Sequence, residues 1–352
     1  VAFNATQRPK CKNRPLHFST LRGSESMTRQ LPAAAFRITY QLLARLQPHR
    51  AAAYTPPTPP GAAAAPSTAP TEHPTPIPRK IWSYWHAVKP DPFVQQCITN
   101  WQTQCPDFEI QVLNQQTVRD HVPPTDWPEG FSALNPVKQS DWIRLYLVSR
   151  YGGYWLDASV VLTQPLDWLE ARQGAEHSEF VGFYLGGYTH DARYPVIENW
   201  AFGAPAGGTF VTAWQREFHH ALFEVGTQAY LASLQREPSY AALLQGITDP
   251  VYLLGHVTAQ RVLRRHPNSR LTLSKAEDTA FFYQKAVSWK WYLLYPRLCL
   301  VAADPHMAPL VKLRGGERRH FAELMAQHGA PAPHSLWGKA CQAPAARPAA
   351  PH

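Results

Sequence analysis

The stretch "QSDWIRLYLVSRYGGYWLDASV", residues 139–160, decides how the chain reads. From Trp142 to Val148 it is apolar except for Arg144. That pattern is apolar nearly all round and predicts a buried helix over about 137–150. Asp141 and Arg144 are three apart, so they share one helical face. Buried charges are costly unless paired or hydrogen-bonded. Two readings stay open: a mutual structural ion pair, or two charges facing a polar cavity where a ligand satisfies them.

Gly152 and Gly153 suit a left-handed helix end and allow close backbone approach. Tyr154-Trp155-Leu156 then read as a strand delivering Asp157 near its end. Ser159 falls on the same side if the extension continues. Such a carboxylate can accept hydrogen bonds from sugar or ribose hydroxyls, or hold a hard divalent ion on a diphosphate. It can equally be a turn or cap aspartate.

Outward from this block, strand-like and helix-like segments alternate. Strands are expected at 80–85, 108–114, 179–185 and 199–205, with a strand pair around 154–162. Val94, Cys97, Ile98, Trp101 and Cys105 fall on one helical face. Further helices are expected at 208–224, 227–236, 251–265 and 317–328. Alternation of this kind implies an α/β layered domain with ligands at the C-terminal strand ends.

The ends read differently. Residues 1–50 carry nine Lys/Arg against Glu25, a net +8, which leaves about +1 of the total +9 for the rest. A basic arm on a near-neutral body suggests an anionic surface and argues against a nucleic-acid groove. Residues 1–30 read as disordered. Over 31–50, Phe36, Tyr40, Leu43 and Leu46 lie on one helical face, either packed on the domain or lying on a membrane. Residues 51–77 read as a stiff Pro/Ala-rich linker, 78–328 as the folded domain, and 329–352 as a loose Pro/Ala-rich tail. The five cysteines are odd in number and widely spaced, which suggests reduced thiols in a cytosolic-type compartment. No apolar run approaches a membrane span. No dinucleotide fingerprint, P-loop, nucleophile elbow or HExxH is present, so the chemistry rests on scattered polar residues.

The blocks "IPRKIWSYWH", "CITNWQTQCPDFEIQVLN" and "SDWIRLYLVSRYGGYWLDASVVLTQPLD" resemble the bacterial capsular polysaccharide synthesis glycosyltransferases, relatives of glycosyltransferase family 32. The resemblance covers about 77–315 and is dense at 77–168. It implies a GT-A-type nucleotide-diphospho-sugar transferase fold: α/β, with a mixed central sheet flanked by helices. It implies a nucleotide-sugar donor, a saccharide or lipid-linked acceptor, and transfer with retention. By position, Asp141 and Arg144 resemble the pair contacting the donor sugar and diphosphate, and Asp157 the first aspartate of Asp-x-Asp. Trp82, Tyr84, Trp85 and His86 fall where the donor's base and ribose bind, with first-strand core as the alternative. Asn199 resembles an asparagine facing the sugar. Lys312 and Arg314 are candidates for neutralising the departing diphosphate, or belong to a solvated basic loop.

The chain departs from the Asp-x-Asp pattern at Ser159, a weaker ligand than a carboxylate. A Mn²⁺ or Mg²⁺ ion held by Asp157 and Ser159 is still what the resemblance implies. His256 reads as a core or acceptor-side histidine, and Asp191 and Asp249 as loop residues that could serve the acceptor. A non-catalytic sugar-binding module and a protein-glycosylating effector are the rival functions. The expected setting is cytoplasmic, with peripheral membrane contact through the basic arm.

Overall fold

The computed structural model describes residues 75–342, together with 53–56 and the single positions Ile38 and Leu42. The expected basic arm, most of the helix over 31–50, most of the linker and the last ten residues lie outside the described residues. Within the linker segment, Tyr54 packs edge-on against Phe282 at 5.4 Å, and its N–H bonds the carbonyl of His306.

The first half runs β1 (Lys80–Tyr84), α1 (Pro92–Gln104), β2 (Glu109–Leu113), α2 (Pro136–Tyr151), β3 (Gly153–Leu156), β4 (Val160–Leu162), α3 (Asp167–Glu176), β5 (Phe180–Tyr184) and β6 (Ile197–Ala204). It continues with α4 (Thr209–His219), α5 (Thr227–Gln235), α6 (Tyr240–Leu244), α7 (Leu254–Arg265), β7 (Leu271–Lys275), α8 (Phe282–Ala286) and α9 (Trp291–Cys299). β8 (Leu310–Lys312), α10 (Gly315–His328) and α11 (Leu336–Ala340) complete it.

Six strands form one sheet in the order β2-β1-β3-β6-β5-β7. β6 runs antiparallel to β3 and β5, while the remaining pairings are parallel. The expected α/β architecture, a mixed central sheet flanked by helices, is therefore what the chain adopts. Strand alternation sends side chains to two cores. Ile81, Tyr154 and Leu156 pack with α1 and the C-terminal helices, whereas Trp82 and Trp155 pack with α2, α4 and α7.

Local signals explain the elements that matter for the site. Asn135 caps α2 by accepting from the Lys138 N–H, and Pro136 fills the first helical position. The helix ends at Gly152, whose φ of 68° and bond to the Val148 carbonyl form a left-handed stop. At Gly153, a Cβ would meet the Lys80 carbonyl oxygen at 2.7 Å, so β1 and β3 approach this closely only with glycine there. Asp91 and Pro92 start α1 in the same way, and Cys97 and Cys105 are buried free thiols on and at the end of that helix.

Three expectations need correction. β3 and β4 are not partners: β4 leaves the main sheet and pairs antiparallel with β8. The extension breaks after Leu156, because the Val160 N–H bonds the Asp157 carbonyl across a tight turn. The segment after 328 is not loose as far as it is described. Ser335 caps α11, Trp337 is buried against Phe93 and Phe321, and Asn100 and Gln104 donate to the Ala340 carbonyl. A short apolar helix can be anchored inside a Pro/Ala-rich composition. Among the described residues no helix is long and apolar enough to cross a membrane.

Candidate active site

β1 and β3 run parallel, and β6 runs against them. The C-terminal ends of β1 and β3 therefore share an edge with the start of β6. Asp157 follows β3 at this edge, where its N–H is held by the Trp200 carbonyl of β6. α2 lies on the sheet face beside Trp155 and directs Lys138, Asp141 and Arg144 to the same edge. β8 brings Lys312 there, since the β4–β8 register sets Val160 opposite Lys312.

The geometry converges on Asp157. Its Oδ1 accepts from Trp155 Nε1 at 3.0 Å and lies 3.2 Å from Arg144 Nη2. Its Oδ2 accepts from Lys312 Nζ at 2.8 Å. Arg144 also lies 3.3 Å from Asp141 Oδ1, donates to the Asn199 carbonyl at 2.7 Å, and bonds both the carbonyl and the hydroxyl of Ser140. Its guanidinium sits 5.2 Å from the Trp155 ring centroid. Asn199 Nδ2 donates to Asp141 Oδ1 at 3.1 Å, and Lys138 Nζ approaches Asp141 Oδ2 at 3.7 Å. The open alternative for Asp141 and Arg144 thus resolves into something larger than a mutual pair: one network joining α2, β3, β6 and β8.

Burial alone would push the Asp157 carboxyl up. The charges of Arg144 and Lys312, with hydrogen bonds from Lys312 and Trp155, outweigh it and hold the carboxyl below its ordinary value. Asp157 is therefore an anion at neutral pH. Lys138, Arg144 and Lys312 thus gather around Asp141 and Asp157 at this edge, with Asp249 near Lys138.

The first-strand aromatics divide. Trp82 is fully buried: its Nε1 donates to the Gly152 carbonyl, and its ring packs under Lys80 and against His121 and Tyr151. Its place is in the buried core, the alternative given for it above. Tyr84 is also buried, its hydroxyl donating to Gln139 Oε1 and lying 3.0 Å from His86 Nδ1, and burial pushes the phenol up to about 12. Trp85 and His86 follow β1 at the correct edge and keep partial exposure, with Arg318 stacked 4.8 Å from the Trp85 ring. Arg314 is engaged elsewhere, bonded to Glu317 and stacked on Trp289. Asp191 binds Arg193 in a surface loop, and Asp249 caps the N–H of Tyr252.

Sequence reading missed Lys138, which sits three residues before Asp141 on the same helical face. It also missed Glu198, whose Oε2 is 2.9 Å from His256 Nε2 in a buried pair next to Asn199. Asn199 Nδ2 also lies beside Gly255 of α7, so simple alternation along β6 does not predict these placements, and only tertiary structure reveals that His256 of α7 meets Glu198.

Asp157 and Ser159 do not fit a divalent cation as they stand. The Ser159 hydroxyl donates to the Leu313 carbonyl at 3.0 Å and accepts from Lys312 Nζ at 2.7 Å. Both Asp157 oxygens face cationic side chains. A dication on Oδ2 would have to share that oxygen with the Lys312 ammonium, which already donates to it and repels a second cation. Among the described residues no group of three or more His, Cys, Asp or Glu side chains is arranged to hold a metal.

A recess of about 660 Å³ lined by Thr209, Arg216, Glu217, His220 and His266 touches none of these groups. It begins at Gly207, just beyond the end of β6, and so lies at the opposite edge of the sheet.

The chain is similar to the O-glycosyltransferase braB of Annulohypoxylon truncatum, 27% identical over 165 residues, which is 42% of this chain and 38% of that protein. The chain thus spans under two fifths of that relative's length. Among solved structures it is similar to the galactosyltransferase LgtC in complex with donor and acceptor sugar analogues, with 11% identity, a TM-score of 0.36, and 72% of this chain and 97% of that one covered. It is similar also to the glycosyltransferase GlyE of Streptococcus pneumoniae, with 10% identity, a TM-score of 0.34, and coverage of 70% and 60%. Residues 65–223, which hold Asp141, Arg144, Asp157 and Asn199, match the family described as capsular polysaccharide synthesis protein.

Proposed function

We propose that this chain is a glycosyltransferase of GT-A type. It moves a sugar from a nucleotide-sugar donor to a saccharide or lipid-linked acceptor in surface-polysaccharide synthesis, with retention at the transferred carbon. The observation that carries the reading is the convergence of Asp141, Arg144, Asp157 and Lys312 at the C-terminal strand edge of a mixed sheet. In open α/β sheets that edge is where ligands bind. The similarity of 65–223 to the capsular polysaccharide synthesis family supports the choice of chemistry.

The residues divide the work. Arg144 and Lys312 at the edge favour a diphosphate, whose negative charge grows as the sugar–phosphate bond breaks. Asp141, held by Asn199 and Arg144, has carboxylate oxygens suited to accept from sugar hydroxyls and fix their orientation. Asp157 keeps Arg144 and Lys312 at fixed positions, so the edge needs little rearrangement when charge develops. Trp85 and His86, half-buried at the end of β1, are suited to the nucleoside. The excess of nine basic residues over one acid in 1–50 supports peripheral contact with an anionic membrane surface in a cytoplasmic setting.

The test is a panel of nucleotide-sugars offered to the purified protein with simple saccharide acceptors, reading released nucleoside diphosphate. At least one donor should be turned over. Tight binding of a donor with no release under any acceptor would mark a binding module, and neither binding nor release would end the reading.

A further inference from the structure

We propose that the Lys312 ammonium is itself the cation that holds the donor's diphosphate, and that the reaction needs no divalent metal. This rests on the glycosyltransferase reading above and deepens it. The ammonium bridges the two side chains expected to hold a metal, 2.8 Å from Asp157 Oδ2 and 2.7 Å from Ser159 Oγ. An ammonium has three N–H donors. Two are used here, and the third has no partner among the described residues. Lys312 is buried at this edge, its side chain keeping 11% exposure.

Ser159 makes this arrangement coherent. A carboxylate there would leave two acidic groups on one ammonium and invite a dication. The hydroxyl instead gives its proton to the Leu313 carbonyl and its lone pair to Lys312. Leu313 follows Lys312 directly, and its N–H bonds the Ser159 carbonyl, so the strand carrying the lysine and the turn carrying the serine lock each other. The lysine's position is set by backbone pairing of β4 with β8 as well as by its own contacts.

In the transfer, the bond from the sugar's C1 to the phosphate oxygen breaks and its electron pair goes to that oxygen. The acceptor oxygen bonds C1, and its proton passes to the departing phosphate. Lys312 stays protonated throughout and stabilises the added negative charge by a charge-assisted hydrogen bond.

Calorimetric titration of the full chain with the common nucleoside diphosphates, once in EDTA and once with excess Mn²⁺, tests this. One diphosphate should bind in EDTA with an affinity within about 3-fold of that in Mn²⁺. Lys312→Met, with folding checked by its thermal transition, should weaken that binding at least about 10-fold, and Lys312→Arg should recover most of it. The matching nucleoside monophosphate should lose less. Wild-type binding that appears only with Mn²⁺ would overturn the proposal and leave the glycosyltransferase reading standing. A Lys312→Met variant that binds like wild type in EDTA would overturn it too. Failure of every nucleoside diphosphate in both conditions would remove the underlying reading and the proposal together. The EDTA comparison uses wild-type protein alone, so it decides the metal question even if Lys312→Met does not fold.

Discussion

Arg144 and Lys312 both contact Asp157, yet the molecule treats them differently. Arg144 comes from the middle of a buried helix and has its guanidinium surrounded: Ser140 twice, the Asn199 carbonyl, Asp141, Asp157 and the Trp155 face. Its side chain is 5% exposed. Lys312 is the last residue of a three-residue strand and, among the described residues, its side chain bonds only Asp157 and Ser159. The first cation is fully committed to holding the site together. The second keeps a donor in reserve. An edge that must stay rigid and still receive a ligand, as proposed here, needs both kinds.

The sharpest way to break this comparison is to remove the committed cation. Arg144→Met leaves buried Asp141 and part-exposed Asp157 with much less compensation, and breaking a buried pair such as Asp141–Arg144 costs about 3–5 kcal/mol. Chemical denaturation should show a loss of that size, well beyond the loss in Lys312→Met. Equal losses in the two variants would mean that Lys312 is as structural as Arg144.

Asp157→Asn comes next in size. It keeps the shape of the side chain but removes the charge that fixes both cations. Turnover should fall about 100-fold, equivalent to roughly 2.7 kcal/mol of barrier, in a donor-turnover assay. Near-wild-type turnover in that variant would remove Asp157 from the centre of the site.

The two cations also differ in how readable they were. Arg144 stands out because a charge in an apolar run asks for an explanation within one helix. Asp157 is legible for a similar local reason: glycines, a short strand, then a carboxylate. Lys312 was a candidate only as a basic residue that could equally belong to a solvated loop, and lies outside the 65–223 segment that matches a known family. Its arrival depends on β8 pairing with β4, about 150 residues earlier in the chain, and a three-residue strand carries no periodicity to announce it. Trp82 shows the converse limit. Alternation said that β1 has two faces, but not that one of them lies beneath α2 and Tyr151, where no ligand reaches. β7 and the helices α8, α9 and α11 went unread: β7 buries Thr272 and Ser274 more deeply than its leucines, α8 and α11 are five residues long, and Pro296 stands inside α9.

The smallest effect is the most discriminating between the two cations. The Asp157 carboxyl is held below its ordinary value of 3.8 in the folded chain, because the Arg144 and Lys312 charges and the Lys312 and Trp155 hydrogen bonds outweigh its burial. A depressed folded pKa contributes stability that is fully present above the unfolded value and is lost as pH falls through the folded one. The difference in unfolding free energy between wild type and Asp157→Asn should therefore be flat from neutral pH down to about pH 5. It should then shrink as the pH passes below about 4, where the unfolded carboxyl protonates first. Repeating the pair of measurements in a Lys312→Met background should narrow that acid-sensitive difference without abolishing it, since Arg144 still faces Oδ1. An unchanged difference would show that Arg144 alone sets the charge state of Asp157. Lys312 would then be a bystander at the carboxylate, and the division between a committed cation and a reserved one would have to be drawn elsewhere.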